Sequence, residues 1–165
     1  MLSIDYTSGK TLKEVTIHRD EINQMYLTHD YTMLFTASKD GTSKLLNPET
    51  FEEIRTFTFG ANPCRAVAVS PLFDDQDIQK FHCCIAGGVD AVEAAFTEAS
   101  KDKGGFDLQL HSIIFNEKLA EIDGSFGPVF TIDFSPDGQC IASGGQDGYV
   151  RYHRLPPEYF TKKFD

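Results

Sequence analysis

Two stretches of this sequence, residues 18–47 and 125–154, align with each other over thirty positions without a gap. The alignment places Asp40 on Asp147, each followed by a glycine, and it superimposes apolar positions on both sides. An Asp-Gly turn between short apolar runs is typical of a β-hairpin, and self-similarity at a fixed spacing indicates a repeated structural unit. Such repeats usually present a surface to partners. We therefore expect a scaffold built from small antiparallel sheets rather than an enzyme.

The composition narrows the possible classes of protein. The chain has 165 residues, 41% of them hydrophobic, which is enough for the core of one ordinary domain. No apolar run approaches the roughly 18 residues that a membrane-spanning helix needs, and the first residues lack the pattern of a signal peptide. We therefore expect a cytoplasmic protein that does not bind membranes. The net charge of −10 repels phosphate backbones, so direct nucleic-acid binding is not expected as the main role.

The residue types that hold metals or carry catalysis form no recognisable pattern. His82, Cys83 and Cys84 follow one another in a predicted strand, where successive side chains point to opposite faces, so we do not expect them to share a metal. No nucleophile–base pair and no glycine-rich phosphate loop stands out. We predict no catalytic residue, no cofactor and no metal. Four cysteines lack zinc-site spacing and are expected to be reduced thiols: Cys64, Cys83, Cys84 and Cys140.

Alternation of apolar and polar residues predicts β-strands along most of the chain. We divide it into an outer hairpin, a complete four-stranded unit, a second unit with long loops, three strands of a last unit, and a C-terminal tail. The bounds are 1–17, 18–59, 60–123, 124–154 and 155–165. Met25 and the alternating Phe130, Ile132 and Phe134 are assigned to the core.

Two insertions set the second unit apart. Nine extra residues, 72–80, lengthen its first turn, and they include Asp74, Asp75 and Asp77. This acidic segment is either a solvated turn or a docking site for a basic partner. Fourteen further residues lengthen the next connection, where residues 91–99 could form one or two helical turns or stay mobile.

The number of strands does not complete a ring. Thirteen strands make a little over three four-stranded units, whereas closed β-propellers have at least four blades of about 40 to 45 residues. We therefore predict an all-β fold, a partial β-propeller. Such a strand order is typical of the C-terminal half of a larger ring, in which the first strand of the whole protein commonly supplies the outer strand of the last blade.

The segment that begins at His18 resembles a WD repeat. In that family a loop histidine, a strand serine or threonine and the hairpin aspartate form a buried hydrogen-bonded group, which here corresponds to His18, Ser38 and Asp40. A bond of this charged type contributes about 1.5–3 kcal/mol to stability. In the last copy Ser125 stands where the histidine is expected, so Asp147 must find another partner.

Three further motifs resemble one WD-repeat family more closely. Phe-Gly-Pro at 126–128, Gly-Gly-Gln-Asp-Gly-Tyr-Val-Arg at 144–151 and Glu-Tyr-Phe at 158–160 are similar to the last blade and tail of subunit i of eukaryotic translation initiation factor three. The likeness covers essentially the whole chain and would correspond to about half of the family's length. It implies three of seven propeller blades and a non-catalytic scaffold in the cytosolic initiation machinery.

The same resemblance implies partners and a partner-binding site. The scaffold would dock a C-terminal helix of the b subunit and contact the g subunit near the small ribosomal subunit. The helix would lie near Asp30, Leu45 and Asn47, and Asn47 stands where an acidic residue is expected. The acidic charge of the chain suits a basic partner, and docking of a helix in a groove also requires apolar anchors.

Two other functions remain open on the sequence alone. One is a generic WD-repeat adaptor in another cytosolic complex, which co-purification would distinguish from an initiation-factor subunit. The other is an enzyme that holds a metal or an acid pair in the central channel of a propeller, which an assay for bound zinc would support. The fold by itself does not choose among these functions.

Overall fold

The computed structural model describes residues 1–72, 81–89 and 105–161. Within them, antiparallel strands form one two-stranded hairpin and three sheets, each a meander in chain order. The hairpin consists of β1 (Leu2–Ile4) and β2 (Thr11–Glu14). We call the sheets the first, middle and last blade. The predicted acidic segment and the predicted helical turns at 91–99 lie outside the described residues.

The bounds of the remaining elements follow the chain. The first blade contains β3 (Ile22–Leu27), β4 (Leu34–Ser38), β5 (Thr42–Leu46) and β6 (Glu53–Thr58). The middle blade contains β7 (Cys64–Val69), β8 (His82–Gly87), β9 (Leu108–Ser112) and β10 (Glu117–Ile122). The last blade contains β11 (Val129–Phe134), β12 (Cys140–Gly145) and β13 (Val150–Arg154), and a short helix α1 (Pro157–Thr161) follows it.

The blades pack face to face, and the core lies between them. Between the first and middle blades, Phe35 and Phe57 bury their rings against Val67 and Ile85. The two ring centroids of Phe35 and Phe57 are 6.5 Å apart. A second cluster joins the middle and last blades through Leu110, Ile132, Phe134 and Ile141, among others. Burial of each such side chain contributes about 1.5–3 kcal/mol, so these faces hold neighbouring blades together.

Two residues assigned to the core are exposed instead. Phe130 is 46% exposed, because a β-bulge between Val129 and Thr131 shifts the strand register and turns its ring outward. Ile132 remains buried beyond the bulge. Met25 is 58% exposed, because it lies on the face of β3 that points away from the middle blade.

The helix α1 fixes the segment after β13 to the body of the molecule. Tyr159 is buried in the core between the middle and last blades, together with Leu155. Its hydroxyl oxygen lies 2.6 Å from Nδ1 of His82, the first residue of β8 in the middle blade. The last strand thus ends at Arg154, and the chain turns back into the core through Leu155 and α1.

Candidate partner-binding groove

A groove of about 430 Å³ lies at one end of the blades, where the first turn of each blade meets its neighbours. Every blade contributes residues from its first pair of strands or the turn between them. The lining residues are Tyr26, Thr28, His29, Asp30, Met33, Val69, Ser70, Pro71, Phe81 and Pro136. The site is therefore a product of blade packing rather than of any single repeat.

Asp30 organises the turn on the rim of the groove. Its carboxylate accepts hydrogen bonds from the hydroxyl of Thr28 at 2.6 Å, and from the amide and hydroxyl of Thr32 at 3.1 and 2.7 Å. These bonds, that from Thr28 above all, lower the pKa of Asp30. The exposed carboxylate is therefore ionised at neutral pH and held in one orientation.

The floor of the groove is apolar. Tyr26 and Met33 pack against the core between the first and middle blades, which also includes Val69 and Phe81. Burial, followed by the charge of Asp133, raises the pKa of Tyr26, so its hydroxyl stays neutral. Such a floor can accept an apolar side chain without leaving a buried charge unpaired.

The turns around the groove carry negative charge. The described turns at this end of the blades contain Asp30, Glu49, Glu52 and Asp137. Lys13 lies over the Phe51 ring in the turn with Glu49 and Glu52, 5.5 Å from the ring centroid, and Arg154 lies near Asp137, so the charge next to the groove itself is that of Asp30. A hydrogen bond from the Ser135 hydroxyl at 2.5 Å lowers the pKa of Asp137. An apolar floor with an acidic rim is complementary to a segment that combines apolar anchors with basic residues.

The three residues implied by the resemblance occupy different environments. Asp30 lines the groove. Asn47 lies in the turn after β5 at the same end of the blade, where its side-chain oxygen accepts hydrogen bonds from the amides of Glu49 and Thr50. Leu45 is 3% exposed and packs in the core between the blades. The register of β5 turns this side chain toward the middle blade, so Leu45 does not itself line the groove.

The hydrogen-bonded group of the first blade centres on His18. Its Nδ1 lies 2.9 Å from Asp40 Oδ2, and its Nε2 lies 2.7 Å from the hydroxyl of Thr36. Burial opposes ionisation of Asp40, but hydrogen bonds from Thr42, the Arg19 amide and His18 outweigh it and lower the pKa to about 2. This arrangement fixes the loop before β3 to the turn between β4 and β5.

Sequence reasoning missed one member of that group and misplaced another. Thr36, rather than Ser38, contacts His18. The hydroxyl of Ser38 instead donates to the carbonyl of Asp20 at 3.3 Å and accepts from the amide of Asp40 at 3.2 Å. The two-residue spacing from Thr36 to Ser38 was the available signal, because residues two apart in a strand share a face.

In the last blade, Arg151 takes the role that His18 has in the first. Its guanidinium lies 2.7 Å from Asp147 Oδ2, and the amides of Phe126 and Tyr149 also donate to this carboxylate. These contacts, led by that of Arg151, lower the pKa of Asp147 to about 2. The guanidinium also stacks on the Phe126 and Tyr149 rings, 5.6 and 5.4 Å from their centroids.

Two negative findings concern the described residues alone. No helix among them has the length and apolar character required to cross a bilayer. Within the same ranges, no three His, Cys, Asp or Glu side chains come together in a way that could hold a metal ion.

Comparisons with known proteins agree with this architecture. Residues 9–47 and 116–153 match the family described as WD domain, G-beta repeat. The solved structure of the WD40 beta propeller domain of Doa1 matches with a TM-score of 0.67 and 16% sequence identity. That match covers 92% of this chain and 43% of the Doa1 chain. The prediction of a partial WD-repeat β-propeller is confirmed.

Several curated proteins described as eukaryotic translation initiation factor 3 subunit I are similar to this chain. The protein from Bombyx mori is 36% identical over 165 residues, which is 100% of this chain and 47% of the relative. The protein from Homo sapiens is 37% identical over 158 residues, which is 96% of this chain and 46% of the relative. The chain thus spans about half the length of the curated relatives it matches.

Proposed function

We propose that this chain, which belongs to the family of eukaryotic translation initiation factor 3 subunit I, is a non-catalytic scaffold of the initiation factor 3 complex in the cytoplasm. The observation that carries the proposal is the groove with its apolar floor and acidic rim. A recognition surface of this kind suits assembly, because it combines an apolar floor for anchoring side chains with a charged rim.

The partners follow from the family resemblance and from the chemistry of the groove. A C-terminal helix of the b subunit binds in the groove, with apolar residues on Tyr26, Met33 and Phe81 and basic residues toward Asp30. The g subunit binds elsewhere on the same scaffold, and the small ribosomal subunit is contacted through the complex. Amphipathic helices dock in this way through apolar anchors spaced along one face.

Within this proposal, the three residues of the predicted site act by different means. Asp30 supplies the charge that faces the partner. Leu45 acts from inside, because it belongs to the packed cluster that supports Tyr26 and Met33 in the groove floor. Asn47 holds the neighbouring turn in place through its bonds to the Glu49 and Thr50 amides.

The test is a pull-down with the tagged chain from native cytosol, quantified by mass spectrometry. Asp30→Asn retains an acceptor oxygen for the turn but removes the charge, and we expect recovery of the b subunit to fall about tenfold. Asp123→Lys, at the opposite end of the blades, is the matched control and leaves recovery unchanged. Equal recovery with Asp30→Asn would contradict the groove as the site. Recovery of a different stable complex would support a generic WD-repeat adaptor instead.

A further inference from the structure

The turn between β3 and β4 holds an exposed tyrosine in a strained backbone conformation. Tyr31 has a φ of 60°, in the left-handed region that residues with a side chain rarely adopt. It directly follows Asp30, which lines the groove. Tyr31 is 71% exposed, so its ring contributes little to the core. Burial of the ring therefore does not compensate the strain.

The corresponding turn of the last blade has the same hydrogen bonds but contains a glycine. Position 31 aligns with Gly138, which has a φ of 66°. The amide of Tyr31 donates to the carbonyl of Thr28 at 2.9 Å, three residues earlier. The amide of Gly138 donates in the same way to the carbonyl of Ser135 at 2.8 Å. In both turns the aspartate in between accepts a bond from the hydroxyl of that earlier residue. The backbone requirement is thus the same, and glycine meets it without steric strain.

A second aromatic residue in this conformation shows what such a ring can contact. Phe51, in the turn between β5 and β6, has a φ of 57°. In the turn between β9 and β10 the residue with this φ is Asn116, a type that tolerates the left-handed region. The ammonium of Lys13 lies 5.5 Å from the centroid of the Phe51 ring. At this turn, the aromatic residue in the less favourable conformation thus contacts a cation.

The last blade shows which cation suits a combination of aspartate and tyrosine. The guanidinium of Arg151 lies 2.7 Å from Asp147 Oδ2 and 5.4 Å from the ring centroid of Tyr149. A planar guanidinium bonds a carboxylate through its edge and stacks on a ring through its face, whereas the ammonium of lysine is a compact, strongly hydrated charge. Neighbouring aspartate and tyrosine side chains therefore favour arginine over lysine.

We propose that Tyr31 determines the specificity of the groove by stacking on an arginine of the docked segment, whose guanidinium also bonds the Asp30 carboxylate. This inference rests on the proposed function, because the arginine belongs to the helix that binds in the groove. Backbone strain is commonly retained at binding sites, where it is part of the arrangement that holds a contact residue in place. Tyrosine and arginine are also enriched among the residues that dominate the binding energy of interfaces.

Replacement of the tyrosine separates a role in binding from a role in folding. Tyr31→Gly removes the strain, so the thermal unfolding midpoint should rise by about 2 °C. In the pull-down, recovery of the b subunit should fall about fivefold, because the stacked ring is lost. Tyr31→Asn tolerates the same φ and keeps the turn less flexible than glycine does, and it should lower recovery equally.

Two conservative variants are the controls for this experiment. Tyr31→Phe retains the face of the ring and should leave recovery of the b subunit unchanged. Asn116→Gly makes the corresponding backbone change in the middle blade, outside the groove, and should also leave recovery unchanged.

Variants of the partner test the identity of the cation. Each arginine in the C-terminal helix of the b subunit is replaced in turn by lysine. One replacement should lower recovery about fivefold with the unmodified chain. With Tyr31→Gly the same replacement should lower recovery less than about twofold, because residues in contact have non-additive effects.

The results distinguish this inference from the function on which it rests. If Asp30→Asn lowers recovery and Tyr31→Gly does not, the groove stands and the role of Tyr31 is overturned. A Tyr31→Gly chain that loses stability together with recovery would also overturn it, because the ring would then support the fold. The same holds if lysine replaces every arginine of the helix without loss. If neither Asp30→Asn nor Tyr31→Gly lowers recovery, the groove itself is contradicted.

Discussion

At the scale of residues, the first and last blades hold corresponding turns with different chemistry. The turn lies between β4 and β5 in the first blade and between β12 and β13 in the last. Asp40 is held by His18 and the Thr42 hydroxyl, whereas Asp147 is held by a guanidinium that stacks on two aromatic rings. In both blades the carboxylate also receives a backbone amide from the loop that enters the blade. The element that the two blades share is thus the carboxylate in the turn between their second and third strands, and the side chain that holds it differs.

Removal of the His18 side chain should destabilise the first blade. His18→Ala removes the contact to Asp40 and the short contact to the Thr36 hydroxyl while their other hydrogen bonds remain, and we expect the free energy of unfolding to fall by about 2 kcal/mol. Chemical denaturation monitored by circular dichroism measures this change. Arg19→Ala, which keeps the backbone bond to Asp40, should cost less than about 0.5 kcal/mol. Equal effects of the two substitutions would show that the hydrogen-bonded group contributes little.

Stability should depend on pH through Asp40. Its pKa is about 2 in the folded protein and about 3.9 in an unfolded chain, so its contribution is complete above pH 4 and is lost as the pH falls toward 2. Asp40→Asn should flatten the decline in the unfolding midpoint across this window. Thermal denaturation at a series of pH values tests this, and a decline as steep as in the unmodified chain would contradict it.

At the scale of elements, the hairpin turns depend on glycine to different extents. Gly41 has a φ of 82°, and a Cβ at this position would lie 2.6 Å from the carbonyl oxygen of Gly60. Gly148 in the last blade has a φ of 78°, and nothing lies within 4 Å of its Cβ position. The turn between β4 and β5 is therefore constrained by neighbouring backbone as well as by its own conformation.

This difference predicts unequal effects of the same substitution. Gly148→Ala introduces backbone strain alone and should cost about 1 kcal/mol. Gly41→Ala adds a clash with backbone and should cost at least about 1 kcal/mol more. Denaturant titration of the two variants compares them directly. A smaller loss for Gly41→Ala would show that the segment around Gly60 moves aside without cost.

Sequence periodicity predicted the strands well, because alternation and turn residues act locally. It failed where the register was broken: the bulge before Thr131 exposes Phe130, which a strict two-residue period places inside. Periodicity did not address Leu45, which the family resemblance implied by position alone, without the face on which the side chain lies. The groove was not predictable for a similar reason, since residues from all three blades form it.

At the scale of the whole molecule, charge and apolar surface are separated. The acidic turns lie at the same end of the blades as the groove, whereas the exposed apolar side chains Met25 and Val150 lie on the outward faces of β3 and β13. Binding of a charged partner in the groove should therefore be sensitive to salt.

Binding of a basic partner should weaken as ionic strength rises. Exposed charges are screened over about 10 Å at 0.1 M salt and about 3 Å at 1 M, so recovery of the partner should fall several-fold between these concentrations. Pull-downs at a series of salt concentrations measure this change. Partner recovery that does not change with salt would argue against an electrostatic contribution.

Two buried cysteines, Cys83 and Cys84, can report the opening of two different contacts between blades. Cys83 lies in the core between the first and middle blades, and its neighbour Cys84 lies in the core between the middle and last blades. Burial raises the pKa of both thiols, so neither reacts until solvent enters its core. The thiols of these two neighbouring residues thus lie in separate interfaces. The order in which a thiol reagent modifies them reveals which pair of blades separates first.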